Sequence, residues 1–213
     1  MRLKSLRRRG TRKSATLSEK TVLENPFEQF SRWFNAAKKN KISMNDAMAL
    51  ATASLDAVPA VRIVLLKGVD NRGFLFYTNL ESRKGKHLAE NPQAALLFHW
   101  PQMGRQIRIE GSVEKLSRAE SFEYFKTRPR GSQIGAWASR QSEVIKDRPY
   151  LETEFRKVRE RYLDSEVPLP DHWGGFRLVP GQFEFWQDRP NRLHDRIVYL
   201  RDSSRWKIVR LSP

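Results

Sequence analysis

The segment RPNRLHDR at residues 189–196 carries cationic or potentially cationic side chains at alternate positions. In an extended chain alternate side chains project from the same face, which would put Arg192, His194 and Arg196 together on one side of a strand. A face of this kind does not suit a hydrophobic core. The segment is therefore predicted to be extended and to face an anion or an electron-rich ring.

A first candidate phosphate site follows a predicted strand that ends at Tyr77 and Thr78. Ser82, Arg83 and Lys84 come shortly after it, at what reads as the N-terminus of a helix. Free backbone N–H groups and the positive end of the helix dipole attract anions there, and two cations add to the attraction. Helix capping beside a charged surface explains the same residues without a ligand, so both interpretations stay open.

A second candidate phosphate site contains Tyr124 and Arg128, which are four residues apart on a predicted helix. Ser132 follows in an RGS segment that reads as the break after this helix. A phenol, a guanidinium and a hydroxyl close to a glycine suit a phosphate. A tyrosine that stacks on a surface arginine is the alternative interpretation.

Four further features carry polar or aromatic side chains at strand ends or in loops. They are the apolar strand 62–67 bracketed by cations, Gln106 in RQIRIEG, the QS pair at 141 and 142, and Trp186 at the end of QFEFW. Each also has an ordinary structural explanation, since charged strand ends meet solvent and a strand tryptophan more often belongs to the core. Together they favour a cofactor and a substrate that both carry a phosphate and a planar ring.

The composition restricts the remaining chemistry. The 213 residues include no cysteine, which excludes disulfides, thiolate metal ligands and cysteine nucleophiles, and which suits a reducing compartment such as the cytoplasm. The four histidines show no metal-ligand spacing, and the sequence contains no P-loop, Rossmann or hydrolase motif. No metal site is predicted.

The formal net charge is +16, and seven positive charges lie in the first thirteen residues with no acid among them. Because basic chains can bind nucleic acid, a nucleic-acid-binding protein with this segment as its tail is a less favoured alternative. The sequence predicts a flexible basic arm at 1–24, which faintly resembles an organellar presequence, and one folded domain at 25–213. No apolar run is long enough to cross a membrane.

The elements that must position these residues are mostly strands. Runs such as AVRIVLLKG, GFLFYTN and AALLFHW are separated by turn-forming segments, and FRLVP, QFEFWQD and RLHDRIVYL predict further strands near the end. Helices are predicted at 27–37, after a capping box of Ser117 and Glu120, and at about 147–162. The pattern predicts a mainly β protein, an antiparallel barrel or sandwich with flanking helices.

Several motifs, in order along the chain, resemble those of the pyridoxine/pyridoxamine 5′-phosphate oxidase family. They are RIVLLKG, FYTNLESRKG, NPQAALLFHW, RQIRIEG, YFKTRPRGSQIGAW, VPLPDHWGGFRL, EFWQ and RLHDR. The resemblance covers about residues 25–213 and implies an FMN-binding split barrel that works as a homodimer with the flavin at the subunit interface. It also implies oxidation of pyridoxine or pyridoxamine 5′-phosphate to pyridoxal 5′-phosphate by dioxygen, with release of hydrogen peroxide.

The resemblance further implies roles for individual residues. The FMN site, partly supplied by the second subunit, would contain Arg62, Ile63, Val64, Leu65, Leu66, Lys67, Tyr77, Thr78, Arg83, Lys84, Gln106, Gln141, Ser142, Trp186 and Arg196. The substrate site would contain Lys67, Tyr124, Arg128, Ser132, Arg192, Leu193 and His194. Arg192 and His194 would be the catalytic residues against the substrate ring, with Arg192 assisting by placement and charge.

Two segments depart from the family pattern. The first tyrosine is Tyr77, so the Arg-x-x-Tyr element common near the family's N-terminus is missing. SMNDAM stands at 43–48, where the family tends to have an acidic residue and a proline before Asn-Ala-Met. A split-barrel oxidase for another ring system, as in phenazine-pathway relatives, is the alternative enzyme. Those relatives tend to lack the lysine equivalent to Lys67 and the RPRGS pattern, and both are present here.

Overall fold

The structure is a computed structural model that describes residues 16–213, so most of the predicted basic arm lies outside the described residues. Within this range the chain forms five α-helices and nine strands. The helices are α1 (Pro26–Lys39), α2 (Arg83–Glu90), α3 (Arg118–Lys126), α4 (Arg130–Ala138) and α5 (Arg148–Arg161). The strands are β1 (Ala47–Ala53), β2 (Pro59–Leu65), β3 (Gly68–Val69), β4 (Phe74–Asn79), β5 (Gln93–Trp100), β6 (Arg105–Lys115), β7 (Trp173–Gln187), β8 (Asp195–Asp202) and β9 (Arg205–Arg210).

The strands form one sheet with the order β2-β1-β5-β6-β7-β4-β3, and β8 pairs with both β7 and β9. The pairs β1–β2, β1–β5, β3–β4, β4–β7, β7–β8 and β8–β9 are antiparallel. Strands that follow each other along the chain can pair in this way through short turns. The predicted class, mainly β and antiparallel with flanking helices, is confirmed.

The chain divides into two compact units. The first unit comprises 16–45, 98–108 and 182–213, and the second comprises 46–97 and 109–181. Strands β5, β6 and β7 each contribute residues to both units. The single folded domain at 25–213 stays a prediction.

Helix α1 belongs to the first unit and matches the helix predicted from apolar spacing. It begins where the Asn25 side chain accepts a hydrogen bond from the Phe27 N–H at 2.9 Å. Its apolar face is buried because Phe30 packs edge-on against Phe98 at 5.2 Å between ring centroids. Trp33 meets Phe185 in the same edge-on way at 5.3 Å. These aromatic contacts are part of the buried core of the first unit.

The described part of the predicted arm contacts the first unit. Leu17 is buried, and the Tyr199 hydroxyl donates to the Leu23 carbonyl at 2.6 Å. Arg210 forms an ion pair with Glu19 at 3.0 Å. Residues 17–23 are therefore held by specific contacts, while the division at residue 24 stays a prediction.

Helices α3 and α5 in the second unit confirm two predictions. Ser117 and Glu120 form the predicted capping box, in which the Ser117 N–H and hydroxyl both donate to Glu120 Oε2 at 2.8 Å. Helix α5 occupies the range predicted at about 147–162. The buried cluster of this region contains Phe125, Ile134 and Trp173.

The predicted break at RGS is wrong, because residues 130–138 form helix α4. Pro129 precedes the helix, and glycines at 131 and 135 lower its intrinsic propensity. Tertiary contacts offset this loss: the Trp137 indole N–H donates to the Pro168 carbonyl at 2.7 Å, and His172 Nε2 lies 2.9 Å from the Ala136 carbonyl. Ser132 consequently lies in the first turn of a helix.

Strand β7 corrects the prediction of two strands, FRLVP and QFEFWQD, because it runs without interruption from Trp173 to Gln187. Pro180 and Gly181 lie inside it. A proline interrupts a strand only where the neighbouring strand needs the N–H group that proline lacks. The Pro-Gly pair was therefore wrongly interpreted as a turn between two strands.

The predicted extended conformation of residues 189–196 is also wrong. Pro190–Arg192 form a 3₁₀ turn, closed by a hydrogen bond from the Leu193 N–H to the Pro190 carbonyl at 3.1 Å. Asn191 and Arg192 have φ values of 58° and 61°, and β8 begins only at Asp195. Side chains therefore do not alternate between two faces before Asp195. As a result, Arg192, His194 and Arg196 do not share one face of a strand.

None of the helices formed by residues 16–213 is long and apolar enough to cross a membrane.

Candidate active site

A cavity of about 1100 Å³ in the second unit is lined by five cationic side chains. These are Arg62, Lys67, Arg83, Lys84 and Arg128. Among the described residues that line it there is no carboxylate. Such a lining attracts anions, although Lys67 Nζ also lies 3.6 Å from Asp46 Oδ2, which is outside the lining.

The cavity brings together fourteen residues that the sequence analysis assigned to the FMN and substrate sites. Besides the five cations they are Ile63, Val64, Leu65, Tyr77, Thr78, Tyr124, Ser132, Gln141 and Ser142. Leu66 does not line the cavity and is buried instead. Residues separated by up to eighty positions therefore share one wall.

One end of the cavity, which we call the α2 corner, contains Arg62, Thr78, Arg83, Lys84 and Gln141. Helix α2 begins beside it, and no acidic residue occupies its first turn. The Ser82 hydroxyl caps the helix by accepting from the N–H of residue 85 at 3.4 Å. A side chain at that glycine would come within 2.0 Å of the Leu80 carbonyl, so only glycine permits this close approach.

Lys84 is buried in the α2 corner, where its ammonium group donates hydrogen bonds to three oxygens. Its Nζ donates to Thr78 Oγ1 at 2.9 Å, to Ser82 Oγ at 3.1 Å and to Gln141 Oε1 at 2.8 Å. Burial, together with the charge of Arg62, lowers the pKa of Lys84 to about 8. An anion bound here would stabilise the charged form of this lysine.

Arg62 is held at the same corner by the neighbouring strand β1. Its Nη1 donates to the Leu50 carbonyl at 2.9 Å and to Thr52 Oγ1 at 2.8 Å. Burial and then the charge of Arg83 lower the pKa of Arg62. Three cations with no acid between them fit a phosphate group, which would relieve their mutual repulsion.

A second set of lining residues, which we call the α3 corner, contains the cations Lys67 and Arg128 together with Tyr124 and Ser132. Arg128 lies two residues beyond the end of α3, so the prediction that it shares a helix face with Tyr124 is wrong, although both line the cavity. Arg128 Nη1 is buried without a hydrogen-bond partner. A buried N–H group in this state fits a ligand oxygen, because leaving it unpaired is unfavourable.

An aromatic stack supports the α3 corner. The rings of Tyr77 and Tyr124 are 4.0 Å apart between centroids, and Trp173 lies parallel to Tyr77 at 5.6 Å. The Arg128 guanidinium lies over Trp173 at 4.6 Å, so it stacks on tryptophan rather than on the tyrosine considered from the sequence. Burial is the largest cause that raises the pKa of Tyr124, so the phenol stays protonated as a donor.

Sequence reasoning missed several lining residues. Trp173, Thr127 and Asn79 lie within the motifs VPLPDHWGGFRL, YFKTRPRGSQIGAW and FYTNLESRKG but were given no role, and Ser139 lies in none of them. Gly175 in the same motif as Trp173 was the available signal. A side chain there would come within 2.6 Å of the Tyr77 ring, so the glycine lets this ring lie against β7.

The six remaining predicted site residues lie in the first unit. They are Gln106, Trp186, Arg192, Leu193, His194 and Arg196. Gln106 is half-buried on β6, while Arg192, the last residue of the 3₁₀ turn, and Leu193 after it are exposed. The part that these residues play in binding stays a prediction.

His194 and Arg196 have defined partners in the first unit. The His194 ring lies 4.5 Å from Trp186 between centroids, and its Nδ1 accepts from the Arg189 N–H at 3.1 Å. The same Nδ1 lies 3.3 Å from Asp188 Oδ1, to which a proton on Nδ1 would be donated. Arg196 forms a two-pronged ion pair with the buried Glu184 at 2.7 and 3.1 Å, and this pairing raises the pKa of Arg196.

Two family models match the chain. One is described as pyridoxamine 5′-phosphate oxidase and matches residues 34–162. The other is the pyridoxine 5′-phosphate oxidase C-terminal dimerisation region and matches residues 173–213. The second match supports a homodimer.

Curated relatives are similar over almost their whole length. A pyridoxine/pyridoxamine 5′-phosphate oxidase of Burkholderia lata is 56% identical over 202 residues, covering 93% of this chain and 94% of the relative. The protein of the same name from Rippkaea orientalis is 50% identical and covers 100% of both chains.

Two solved structures share the fold. PhzG from Burkholderia lata 383, in complex with tetrahydrophenazine-1-carboxylic acid, has a TM-score of 0.88 at 31% identity and covers 93% of this chain and 98% of its own. A pyridoxamine 5′-phosphate oxidase-related, FMN binding protein from Nostoc punctiforme has a TM-score of 0.71 at 15% identity. This match covers 89% of this chain and 98% of the Nostoc protein. The fold is thus the FMN-binding split barrel, and the cofactor is FMN, which the donors of the α2 corner suit. The chain is an oxidoreductase that belongs to the pyridoxine/pyridoxamine 5′-phosphate oxidase family.

Proposed function

We propose that this protein oxidises pyridoxine 5′-phosphate or pyridoxamine 5′-phosphate to pyridoxal 5′-phosphate. The alcohol and dioxygen would yield the aldehyde and hydrogen peroxide, and the amine would also consume water and release ammonia. The observation that carries the proposal is the α3 corner, where buried Arg128 Nη1 has no hydrogen-bond partner in the protein. A second phosphate, separate from that of the cofactor, suits this group.

The residues of the cavity would bind and orient the two ligands. In the α2 corner Arg62, Arg83 and Lys84 would hold the FMN phosphate at the start of α2. The chemistry supplied by bound FMN is acceptance of a hydride equivalent from the substrate and reoxidation by dioxygen.

At the α3 corner, Arg128 and the protonated Tyr124 would donate to the substrate phosphate, with Lys67 adding charge and Ser132 a hydroxyl. The binding energy of this remote group can align the reacting carbon. The phosphate ester is therefore the expected substrate rather than the free vitamer.

The proposal retains Arg192 and His194 as catalytic residues. Nδ1 of His194 is directed at the Arg189 N–H and Asp188 Oδ1, so Nε2 would be the ring nitrogen left to hydrogen-bond a substrate oxygen or nitrogen. Exposed Arg192 would supply positive charge beside the substrate ring. We further propose that the homodimer has FMN at its interface and that the enzyme is cytoplasmic, the latter because the chain has no cysteine.

A second candidate function is oxidation of a reduced phenazine carboxylic acid. It is favoured by the likeness to PhzG, whose structure contains tetrahydrophenazine-1-carboxylic acid. Lys67 and the RPRGS segment at 128–132 argue for the phosphate ester, because phenazine-pathway relatives tend to lack both. The higher identity to the curated phosphate oxidases points the same way.

Oxygen uptake by the purified holoenzyme tests the two candidates. Uptake is expected with pyridoxamine 5′-phosphate and is expected to be negligible with pyridoxamine at the same concentration. Tetrahydrophenazine-1-carboxylic acid serves as the competing substrate. Uptake with the phenazine acid, together with none for either vitamin phosphate, would transfer the assignment to the second candidate.

The variants Arg192→Ala and Arg83→Ala should separate catalysis from cofactor binding. Arg192→Ala is expected to retain FMN and to lower kcat by about 10- to 100-fold, because it removes charge near the reacting ring. Arg83→Ala should instead lose FMN on dilution, since one of the three cations of the α2 corner is gone. Flavin absorbance after gel filtration and steady-state kinetics measure these effects. Wild-type behaviour of both variants would show that the residue assignments are wrong.

A further inference from the structure

Two buried polar residues lie behind the α2 corner and have no part in the reaction proposed above. Thr52 on β1 is 4% exposed, and His87 in the last turn of α2 is 7% exposed. Thr52 Oγ1 and His87 Nδ1 are 3.2 Å apart. Neither residue lines the cavity, so each can affect a ligand only through another side chain.

Arg62 is the side chain that connects this pair to the cavity. One nitrogen of its guanidinium, Nη1, donates to the Leu50 carbonyl at 2.9 Å and to Thr52 Oγ1 at 2.8 Å. Nη1 carries two hydrogens, and these two bonds to β1 engage both of them. The guanidinium is fixed through one nitrogen, which leaves the N–H groups of Nε and Nη2 for an anion.

His87 in turn determines how the Thr52 hydroxyl is oriented. The hydroxyl oxygen already accepts from Arg62, so its own hydrogen can be donated to His87 Nδ1. This arrangement requires the neutral histidine tautomer with the proton on Nε2. A buried hydroxyl that both donates and accepts a hydrogen bond has one preferred orientation. The Thr52 oxygen is then held in one position, and the Arg62 Nη1 group that donates to it is held as well.

We propose that Thr52 and His87 are positioning residues that hold the Arg62 guanidinium in place for the phosphate of FMN. The proposal rests on the placement of that phosphate at the α2 corner. Arg62 lies close to Arg83 and Lys84, whose charges repel it. Without the contacts to β1, the guanidinium would move away from the other cations when no anion is bound, and FMN binding would have to restore its position.

Thr52→Val tests the proposal because valine has nearly the same shape and lacks the hydroxyl. The dissociation constant of FMN, measured by flavin fluorescence quenching with the full-length chain freed of flavin, is expected to rise about tenfold. Thr52→Ser should restore the wild-type value. His87→Leu should weaken binding as Thr52→Val does, whereas His87→Asn, whose amide can replace Nδ1, should weaken it less.

An Arg62→Ala background separates positioning from general destabilisation. In this background Thr52→Val should leave the FMN dissociation constant unchanged, because the residue it positions is gone. Ser121→Ala is the matched control: it removes another buried hydroxyl of the second unit, which accepts from the Gly175 N–H at 3.2 Å. This variant should lower the thermal midpoint without weakening FMN binding.

Three outcomes would overturn the proposal. They are an unchanged FMN affinity in Thr52→Val, an equal weakening by Thr52→Val with and without Arg62, and an unchanged affinity in Arg62→Ala, which would also remove the phosphate from this corner. Failure of the proposed reaction can be distinguished from failure of this positioning proposal. It would appear as missing oxygen uptake in a wild-type protein that still binds FMN.

Discussion

Replacing Arg128 with alanine should lower kcat/KM for pyridoxamine 5′-phosphate by about 100-fold while FMN remains bound. The guanidinium lies over Trp173 at 4.6 Å, and its buried Nη1 has no hydrogen-bond partner in the protein, so its main hydrogen bond would be to the substrate phosphate. Most of the loss should appear in KM, because the phosphate is bound in the ground state as well as in the transition state. Steady-state oxygen uptake measures both constants.

Two further variants serve as controls for Arg128→Ala. Arg128→Lys keeps the charge but loses the planar fork, so its kcat/KM should lie between those of the wild type and the alanine variant. Arg156→Ala removes an arginine of α5 that does not line the cavity, and it should behave as the wild type. If Arg128→Ala changed only kcat, or released FMN, the α3 corner would not be the substrate phosphate site.

FMN affinity should fall as the pH rises above about 8, because Lys84 has a pKa of about 8 in the flavin-free protein. A bound phosphate favours the charged lysine, so the pKa is higher in the complex than in the free protein. Above pH 8 binding must therefore take up a proton, and affinity decreases by up to about tenfold per pH unit. Below about pH 7 Lys84 is almost fully charged in both states and contributes little slope.

The dissociation constant of FMN at several pH values between 7 and 9.5 checks this expectation. Lys84→Met should bind FMN more weakly throughout and lose the slope above pH 8. Lys84→Arg keeps a charge over the whole range and should also lose the slope, although its geometry differs. A slope that persists in both variants would assign the proton uptake to another group.

Local signals explain the parts of the fold that were predicted correctly. The capping box at Ser117, the apolar spacing of α1 and the alternating apolar strands each involve residues within about ten positions of one another. Such patterns are readable because their partners are close along the chain. Strands β2 and β4 were found in this way, and with them much of the cavity wall.

Distant contacts explain the parts that were predicted wrongly. Helix α4 was missed because Pro129 and two glycines indicate a break, whereas the bond from Trp137 to Pro168 and the burial of Ile134 stabilise a helix. The stretch before β8 was read as extended because its charges alternate. The Asn191 and Arg192 backbones instead adopt positive φ values after a proline.

The sequence by itself determined which residue types could bind phosphate, the position at which α2 begins, and, through family motifs, the cofactor class. Only the tertiary structure decided that Gln141 reaches Lys84 across 57 positions and that Arg128 stacks on Trp173. The same holds for the pairing of Arg196 with Glu184. The physical reason is that helix starts and strand patterns depend on neighbouring residues, whereas burial, pKa shifts and unsatisfied N–H groups depend on which distant segments pack together.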